Sequence, residues 1–111
     1  MKKKRLPFTI GEQYELHEFE LNGTETIKIG KYEYEVYRCT TKLFDSLKLE
    51  GLMDVKLYYN ADILARIDYI FHDNIEKYMT YFIPSKNENI INFNYLECGI
   101  EVIVTHSKYS R

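Results

Sequence analysis

Residues 63–82, ILARIDYIFHDNIEKYMTYF, decide which fold this chain adopts. Apolar residues recur there at steps of three and four: Ile63, Leu64, Ile67, Ile70, Phe71, Ile75, Tyr78, Met79 and Phe82. This spacing is typical of one face of an α-helix, because side chains three and four residues apart lie on the same side. The pattern predicts one long amphipathic helix over residues 61–82, with Asn60 as its N-cap and Pro84 beyond its end.

The same residues also allow a β-hairpin. Residues 65–71 alternate in the manner of a strand, and residues 72–74 would form the loop to a second strand over 77–83. That interpretation leaves Leu64 and Ile70 on the polar face of the strand. The helix, in contrast, places nearly every apolar residue on one face and nearly every polar residue on the other. The sequence therefore favours the helix and keeps the hairpin as the alternative.

The N-terminal third predicts a meander of three antiparallel strands. Residues 14–29 would form a hairpin around Asn22-Gly23, because Asn and Gly tolerate the positive φ angles of a type I′ turn. Gly30-Lys31 would then lead into a third strand over residues 32–40.

The remaining patterns predict a short helix and three further strands. Thr41 is the expected N-cap of the helix, and Gly51 is expected just past its end. Residues 52–59 alternate as a strand, and residues 90–96 and 100–106 form a second hairpin.

Together these elements predict a single α+β domain over residues 12–106. An antiparallel sheet of about five or six strands would carry the long helix packed on one face. An all-β domain is the alternative if the helix is a hairpin. Residues 1–11 are expected to form a flexible basic N-terminal arm, and residues 107–111 a C-terminal tail.

Length and composition favour one soluble cytoplasmic domain. The chain has 111 residues, 45% of them hydrophobic, and no apolar run approaches the ~18 residues needed to cross a bilayer. The basic start at residues 2–5 is not followed by the apolar segment of a signal peptide. Cys39 and Cys98 form no CxxC pair, so reduced thiols are expected.

The sequence carries no recognisable catalytic or cofactor motif. The five glycines are dispersed, which excludes a Gly-rich phosphate loop. His17, His72 and His106 lack the spacing of a metal site. We therefore expect no catalytic residues, no metal and no cofactor, and a protein that is not an enzyme.

The charge distribution points instead to a protein partner. Residues 12–35 contain seven glutamates against two lysines, a net charge of −5. An acidic, tyrosine-bearing strand surface is predicted from this pattern, and it suits a basic protein partner. Its residues are Glu18, Glu20, Tyr32, Glu33, Tyr34 and Glu35. The expected function is a non-enzymatic protein-binding module, of the kind found among phage or mobile-element accessory and inhibitor proteins.

Two alternatives remain open from sequence. The basic arm, Lys2, Lys3, Lys4 and Arg5, could contact the phosphates of a nucleic acid. A structural subunit of a larger assembly, including a homo-oligomer, fits the composition equally well. No pattern in the chain predicts binding to a membrane.

Overall fold

The computed structural model describes residues 8–47, 51–72, 89–97 and 99–106. Within these ranges the chain forms one six-stranded antiparallel sheet and one α-helix, in the strand order β1-β2-β3-β4-β6-β5. Two 3-10 turns, Tyr14–Leu16 and Glu18–Glu20, precede the sheet. The other elements are β1 Leu21–Ile29, β2 Tyr32–Cys39, α1 Thr41–Leu47, β3 Leu52–Asn60, β4 Ile63–Phe71, β5 Asn89–Leu96 and β6 Gly99–His106.

Local patterns predicted several of these elements. The expected strands over 32–40 and 52–59 appear as β2 and β3, and the expected second hairpin appears as β5 and β6. Helix α1 begins at Thr41, and its N-cap is Thr40, one residue earlier than predicted. The Thr40 hydroxyl oxygen accepts a hydrogen bond from the Leu43 amide at 3.4 Å. The antiparallel sheet of five or six strands is confirmed as a sheet of six.

The predicted long helix is wrong where the structure describes it. Residues 63–71 form strand β4, which pairs with β3 through a tight turn at Ala61 and Asp62, whose φ angles are 49° and 66°. Asn60 is the last residue of β3 and caps no helix. Its side-chain amide donates to the Glu33 carbonyl oxygen at 2.8 Å. The rest of the predicted helix, residues 73–82, lies outside the described residues.

A β-bulge explains why β4 resembles a helix in sequence. Tyr58 pairs with Arg66 while its neighbour Tyr59 pairs with Leu64, so Ala65 is an extra residue in β4. A bulge interrupts the two-residue alternation of a strand. Leu64 and Ile67 consequently both reach the main core although they are three residues apart. In addition, β4 lies between β3 and β6 and buries side chains on both of its faces, which removes the polar face expected of a strand.

The N-terminal part also departs from the predicted meander. The predicted strand over residues 14–21 is wrong, since these residues form the two 3-10 turns and β1 begins at Leu21. The predicted turn at Asn22-Gly23 lies inside β1, and β1 instead joins β2 at Gly30-Lys31, where Gly30 has a φ of +61°. The reason is tertiary, because residues 11–14 hydrogen-bond to the start of β4 rather than to a neighbouring strand.

The two faces of the sheet carry separate cores. The first face carries Leu57, Ile67 and Val102 and is covered by α1 and by residues 8–20, which form the main core with it. Phe8 and Ile10, assigned to the arm from sequence, are 7% and 9% exposed and belong to this core. The second face carries a smaller cluster of buried side chains: Tyr34, Val36, Tyr58 and Ala65.

Substitution of Gly99 tests the packing at the start of β6. A Cβ atom there would overlap the Phe71 carbonyl oxygen and lie 2.8 Å from the Cα of His72, and backbone cannot move aside cheaply. We expect Gly99→Ala to lower the free energy of unfolding by about 2–3 kcal/mol, measured by urea denaturation. Gly23→Ala is the control, because its Cβ would meet only the Tyr37 ring at 3.4 Å. Equal stability of the two variants would contradict the close approach.

Candidate functional site

The segment that precedes β1 is fixed to the sheet at both of its ends. At one end, the Gly11 amide donates to the Leu64 carbonyl oxygen at 2.7 Å and the Leu64 amide donates to the Glu12 carbonyl oxygen at 2.9 Å. The Tyr14 amide donates to the Asp62 carbonyl oxygen at 2.8 Å. At the other end, the Thr40 amide donates to the Glu20 carbonyl oxygen at 2.9 Å. Residues 14–20 therefore form a tethered bridge across the first face rather than a free loop.

The bridge packs against the sheet through a cluster of three aromatic rings. The Tyr14 ring lies 4.9 Å from the Tyr37 ring and 5.6 Å from the Tyr59 ring, and the last two are 5.5 Å apart. Such clusters of tilted and edge-to-face rings are favourable beyond the area they bury. The Tyr59 hydroxyl is buried without a hydrogen-bond partner among the described residues. Burial, with the nearby Glu12 carboxylate, raises the pKa of Tyr59, so this hydroxyl stays protonated.

His17 holds the middle of the bridge between two carboxylates. Its Nδ1 atom lies 3.0 Å from Glu20 Oε1, and its Nε2 atom lies 3.2 Å from Glu12 Oε1. The contact with Glu12 is within ion-pair distance for a protonated imidazole. The edge of the Phe8 ring packs against the imidazole at 5.2 Å.

The Glu12 and His17 side chains are both largely buried, and this burial governs the electrostatics of the cluster. Burial raises the pKa of Glu12, and the neighbouring His17 opposes that rise. The His17 side chain is only 11% exposed. A group so enclosed is suited to holding the bridge in place, since a substrate would have to displace its two carboxylate neighbours to reach the imidazole.

The outer surface of the bridge is apolar at its crest and acidic at its sides. Phe19 is 91% exposed and Leu16 is 64% exposed. Glu15 and Glu20 are exposed beside them, and Glu18 is half-buried. A concavity of about 390 Å³ adjoins Leu16 and is lined by Gln13, Glu15 and Leu16. We call Glu15, Leu16, Glu18, Phe19 and Glu20 the acidic ridge.

Part of this ridge, but not its apolar crest, is predictable from sequence. The charge pattern predicts Glu18 and Glu20 as partner-binding residues, although on a paired strand. It does not predict Leu16 and Phe19, because a strand over residues 14–21 distributes them between two mixed faces. The available signal was the absence of clean alternation in these residues, which is unusual for a half-buried strand.

The structure divides the predicted acidic, tyrosine-bearing surface into separate parts. Glu33 and Glu35 are exposed and alternate along β2 with Tyr32 and Tyr34, which point to the opposite face. Tyr34 is 5% exposed and packs edge-on against another ring on the second face. Glu33 lies seven residues along the chain from Thr40, the residue bonded to the ridge, a distance of about 23 Å in an extended strand.

Other candidate residues do not converge on one site. His17 adjoins the start of β4 through Glu12, whereas the exposed His72 follows the end of β4, so the length of a strand, about 25 Å, separates them. The side chain of His106, all of Cys98 and the basic arm, Lys2 to Arg5, lie outside the described residues. Within the described ranges, no three His, Cys, Asp or Glu side chains are placed to hold a metal ion.

A second polar cluster lies on the second face of the sheet. Asp68 is 1% exposed, and its two carboxylate oxygens accept hydrogen bonds from Arg66 Nε at 2.7 Å and Arg66 Nη2 at 3.0 Å. The Tyr58 hydroxyl also donates to Asp68 at 3.0 Å, and the guanidinium of Arg66 lies over the Tyr58 ring at 4.8 Å. Burial lowers the pKa of Arg66, but its bonds to Asp68 outweigh this and raise it overall.

This cluster fits a structural role, because its donors and acceptors satisfy one another. Arg66 directly follows the bulge at Ala65, and its bidentate pair with Asp68, two residues further along β4, lies on the second face. The pKa of the Tyr58 hydroxyl is raised by burial and by the charge of Asp68, so this group is not poised to transfer a proton near neutral pH.

Substitutions in this cluster test that role. We expect Asp68→Ala to lower the free energy of unfolding by about 3–5 kcal/mol, because it leaves Arg66 without its partner. Replacing both members, as Arg66→Met with Asp68→Leu, should recover most of that loss, since an apolar pair needs no partner. Urea denaturation measures both effects. A double variant less stable than Asp68→Ala would show that the ion pair is not the source of the loss.

Cys39, the last residue of β2, lies in a small surface cavity beside the start of α1. The cavity measures about 200 Å³ and is lined by Arg38, Cys39, Thr41, Phe44, Met53 and Asp54. Burial, together with the charges of Asp54 and Glu20, raises the pKa of the Cys39 thiol to about 12. Because the thiolate is the nucleophile, Cys39 is unsuited to covalent catalysis at neutral pH.

Thiol labelling tests this assignment for Cys39. In a Cys98→Ser variant, which leaves one thiol, we expect alkylation at neutral pH to be about a thousandfold slower in the folded protein than in urea. The ratio follows from the smaller thiolate fraction when the pKa rises from 9.0 to about 12. Equal rates in both states would contradict a buried, protonated thiol.

Comparison with protein-family models, with curated proteins and with solved structures finds no match to this chain. No helix in the described part of the chain has the length and apolar character needed to cross a membrane. The site must therefore be interpreted from its own geometry.

Proposed function

We propose that this protein is a non-enzymatic protein-binding module that uses the acidic ridge to hold a protein partner. The observation that carries the proposal is the exposure of Phe19, 91%, on a bridge that hydrogen bonds tether to the sheet at both ends. Buried in a partner, a Phe side chain contributes about 1.5–3 kcal/mol of hydrophobic free energy. Aromatic side chains are also enriched among the few interface residues that dominate affinity.

The ridge is organised before any partner arrives. The tyrosine cluster beneath Tyr14 and the carboxylates around His17 restrict the conformations of residues 14–20. Side chains and loops that are already ordered lose less conformational entropy on binding. A tethered bridge with an exposed apolar crest is therefore better suited to binding than a flexible loop of the same composition.

The charges around the crest define the kind of partner. Glu15, Glu18 and Glu20 are the sequence neighbours of Leu16 and Phe19 on the bridge. A complementary surface would be an apolar pocket with lysine or arginine at its rim, and opposite charges would speed the encounter. A small acidic inhibitor or accessory protein from a phage or mobile element, aimed at a basic nucleic-acid-binding protein, has these properties.

Glu35 lies close to one end of the bridge, and Glu33 lies further along β2. Glu35 pairs with Tyr59, against which the Tyr14 ring packs, and it shares the first face with Tyr37. A standard interface, to which each partner contributes ~800 Å², can therefore reach β2 from the ridge. In this proposal Tyr34 supports the sheet through its packing and does not contact the partner, while Tyr32 lies at the margin of the opposite face.

Variants of the ridge test the proposal in a capture experiment. The tagged protein is used to recover partners from its native cell lysate at low and high salt, with nuclease treatment in parallel. We expect Phe19→Ala to weaken recovery of a specific protein by about thirtyfold, and Glu18→Lys with Glu20→Lys to abolish it at low salt. Thermal unfolding shows whether each variant remains folded, since Glu20 also contacts His17.

The matched control changes the same charge elsewhere. Glu25→Lys with Glu97→Lys reverses two exposed glutamates outside the ridge and should leave capture unchanged. Glu33→Lys with Glu35→Lys shows whether the interface reaches β2. A partner that binds the ridge variants as well as it binds the original chain would refute the proposal. Recovery that depends on nucleic acid would favour the basic arm, Lys2 to Arg5, instead.

A further inference from the structure

The two edges of the sheet are protected to very different degrees. β1 contains a bulge at Thr24, between Gly23 and Glu25, and carries the charged residues Glu25 and Lys28. Bulges and charges on an edge strand discourage pairing with another chain. β1 is therefore guarded against such pairing.

β5 has none of these protections. Its sequence is Asn-Ile-Ile-Asn-Phe-Asn-Tyr-Leu, eight residues without a charge, a proline or a glycine. It pairs with β6 through eight consecutive residue pairs without a register shift, so its backbone is regular. It has no other strand neighbour among the described residues. A regular, uncharged edge strand presents unpaired amide and carbonyl groups to any complementary strand.

Large side chains at this edge are also exposed. Tyr95 is 72% exposed and Leu96 is 41% exposed. Ile91 and Phe93 are half-buried and pack against the main core on the first face. A strand added beside β5 would cover Tyr95 and would extend that core beyond the edge of the sheet.

The order of residues in β5 makes it complementary to itself. Ile91, Phe93 and Tyr95 point to the first face, while Asn92 and Asn94 point to the second. In an antiparallel pair related by a two-fold axis through Phe93, Ile91 lies opposite Tyr95 of the other copy, and Phe93 lies opposite Phe93. Asn92 then lies opposite Asn94. Apolar residues therefore meet apolar residues on the first face, the two central asparagines meet each other on the second, and no like charges are opposed; Asn89 falls opposite Glu97, just past the end of the strand.

We propose that β5 pairs antiparallel with β5 of a second copy of this chain, about a two-fold axis through Phe93, to give a symmetric dimer. The contact uses the same surface on both copies, so it closes on itself and leaves no further β5 edge to recruit a third chain. The two six-stranded sheets become one continuous sheet, with the guarded β1 strands at its outer edges. The acidic ridge lies on another part of the molecule, so the dimer does not depend on the function proposed above.

The mass of the protein in solution tests this dimer. Sedimentation or light scattering of the full chain should give a mass that rises with concentration from 13.4 kDa towards twice that value. Amide hydrogen exchange in residues 90–96 should slow over the same concentration range, because dimerisation adds hydrogen bonds at an edge that has no strand neighbour within the described ranges. A mass of one chain at every concentration would overturn the proposal, as would open-ended growth beyond a dimer.

Charge substitutions at Asn92 and Asn94 test the pairing itself. Both side chains are exposed, and the Asn94 amide donates to Glu101 Oε1 at 3.2 Å. Asn92→Lys with Asn94→Lys places two lysines opposite each other on each side of the axis, and the dissociation constant should rise about tenfold or more. Asn92→Glu with Asn94→Lys opposes unlike charges at the same positions and should restore the dimer. Both variants place a lysine at residue 94, which keeps a donor near the Glu101 carboxylate, so their effects on the monomer are matched there.

The dimer dissociation constants of the double-lysine variant and of the variant with Asn92→Glu and Asn94→Lys, compared with each other, decide whether β5 pairs in this register. The two variants change the same residues, so a general loss of β5 structure would affect both equally, and thermal unfolding checks this directly. Thr26→Lys, an exposed position on the guarded edge β1, should leave the dimer unchanged. A dimer that survives two opposed lysines, or one that opposed unlike charges do not restore, would overturn the antiparallel register through Phe93.

Discussion

The pairing of β3 with β4 is the constraint on which the rest of the structure depends. These strands lie at the centre of the sheet and meet through a turn at Ala61 and Asp62, two residues held at positive φ. Leu57 and Leu64, both fully buried, lie on these strands and anchor the main core. The bulge at Ala65 then sets which residues of β4 face that core and which face Asp68 and its partners.

The start of β4 also determines where the N-terminal residues go. Among the described residues, β6 pairs with β4 from Arg66 onwards, and the first residues of β4 have no β6 partner on that side. Residues 11–14 fill this position through their bonds to Asp62 and Leu64. The chain must then cross the first face to reach the outer edge at β1, and the crossing creates the tethered bridge. The exposed position of Phe19 is thus a consequence of sheet topology rather than of local sequence preference.

Polar groups within the sheet are distributed according to their burial. Asp68 is almost fully buried and uses its acceptors on Arg66 and Tyr58, which makes its charge tolerable. On the acidic ridge, Glu15 and Glu20 are exposed and Glu18 is half-buried, so these carboxylates keep contact with solvent, although Glu20 also contacts His17. The two edge strands also differ in charge. β1 carries charged residues, which disfavour pairing with another chain, whereas β5 carries none, which favours it. The most exposed of the large apolar side chains, Phe19 and Tyr95, lie on the acidic ridge and on the β5 edge.

The sequence by itself determined the elements whose signals are local. β2, β3, the β5–β6 hairpin and α1 follow from two-residue alternation, a capping threonine and turn residues, and each appears close to its predicted bounds. The net negative charge around Glu18 and Glu20 was likewise visible in the sequence. Only the tertiary structure decided that residues 63–71 form a strand, because a bulge and burial on both faces give β4 the three- and four-residue spacing of a helix. It also decided that residues 14–20 form a bridge and that Asn22-Gly23 lies within a strand, since both depend on hydrogen bonds to β4 and β2, which are distant in sequence.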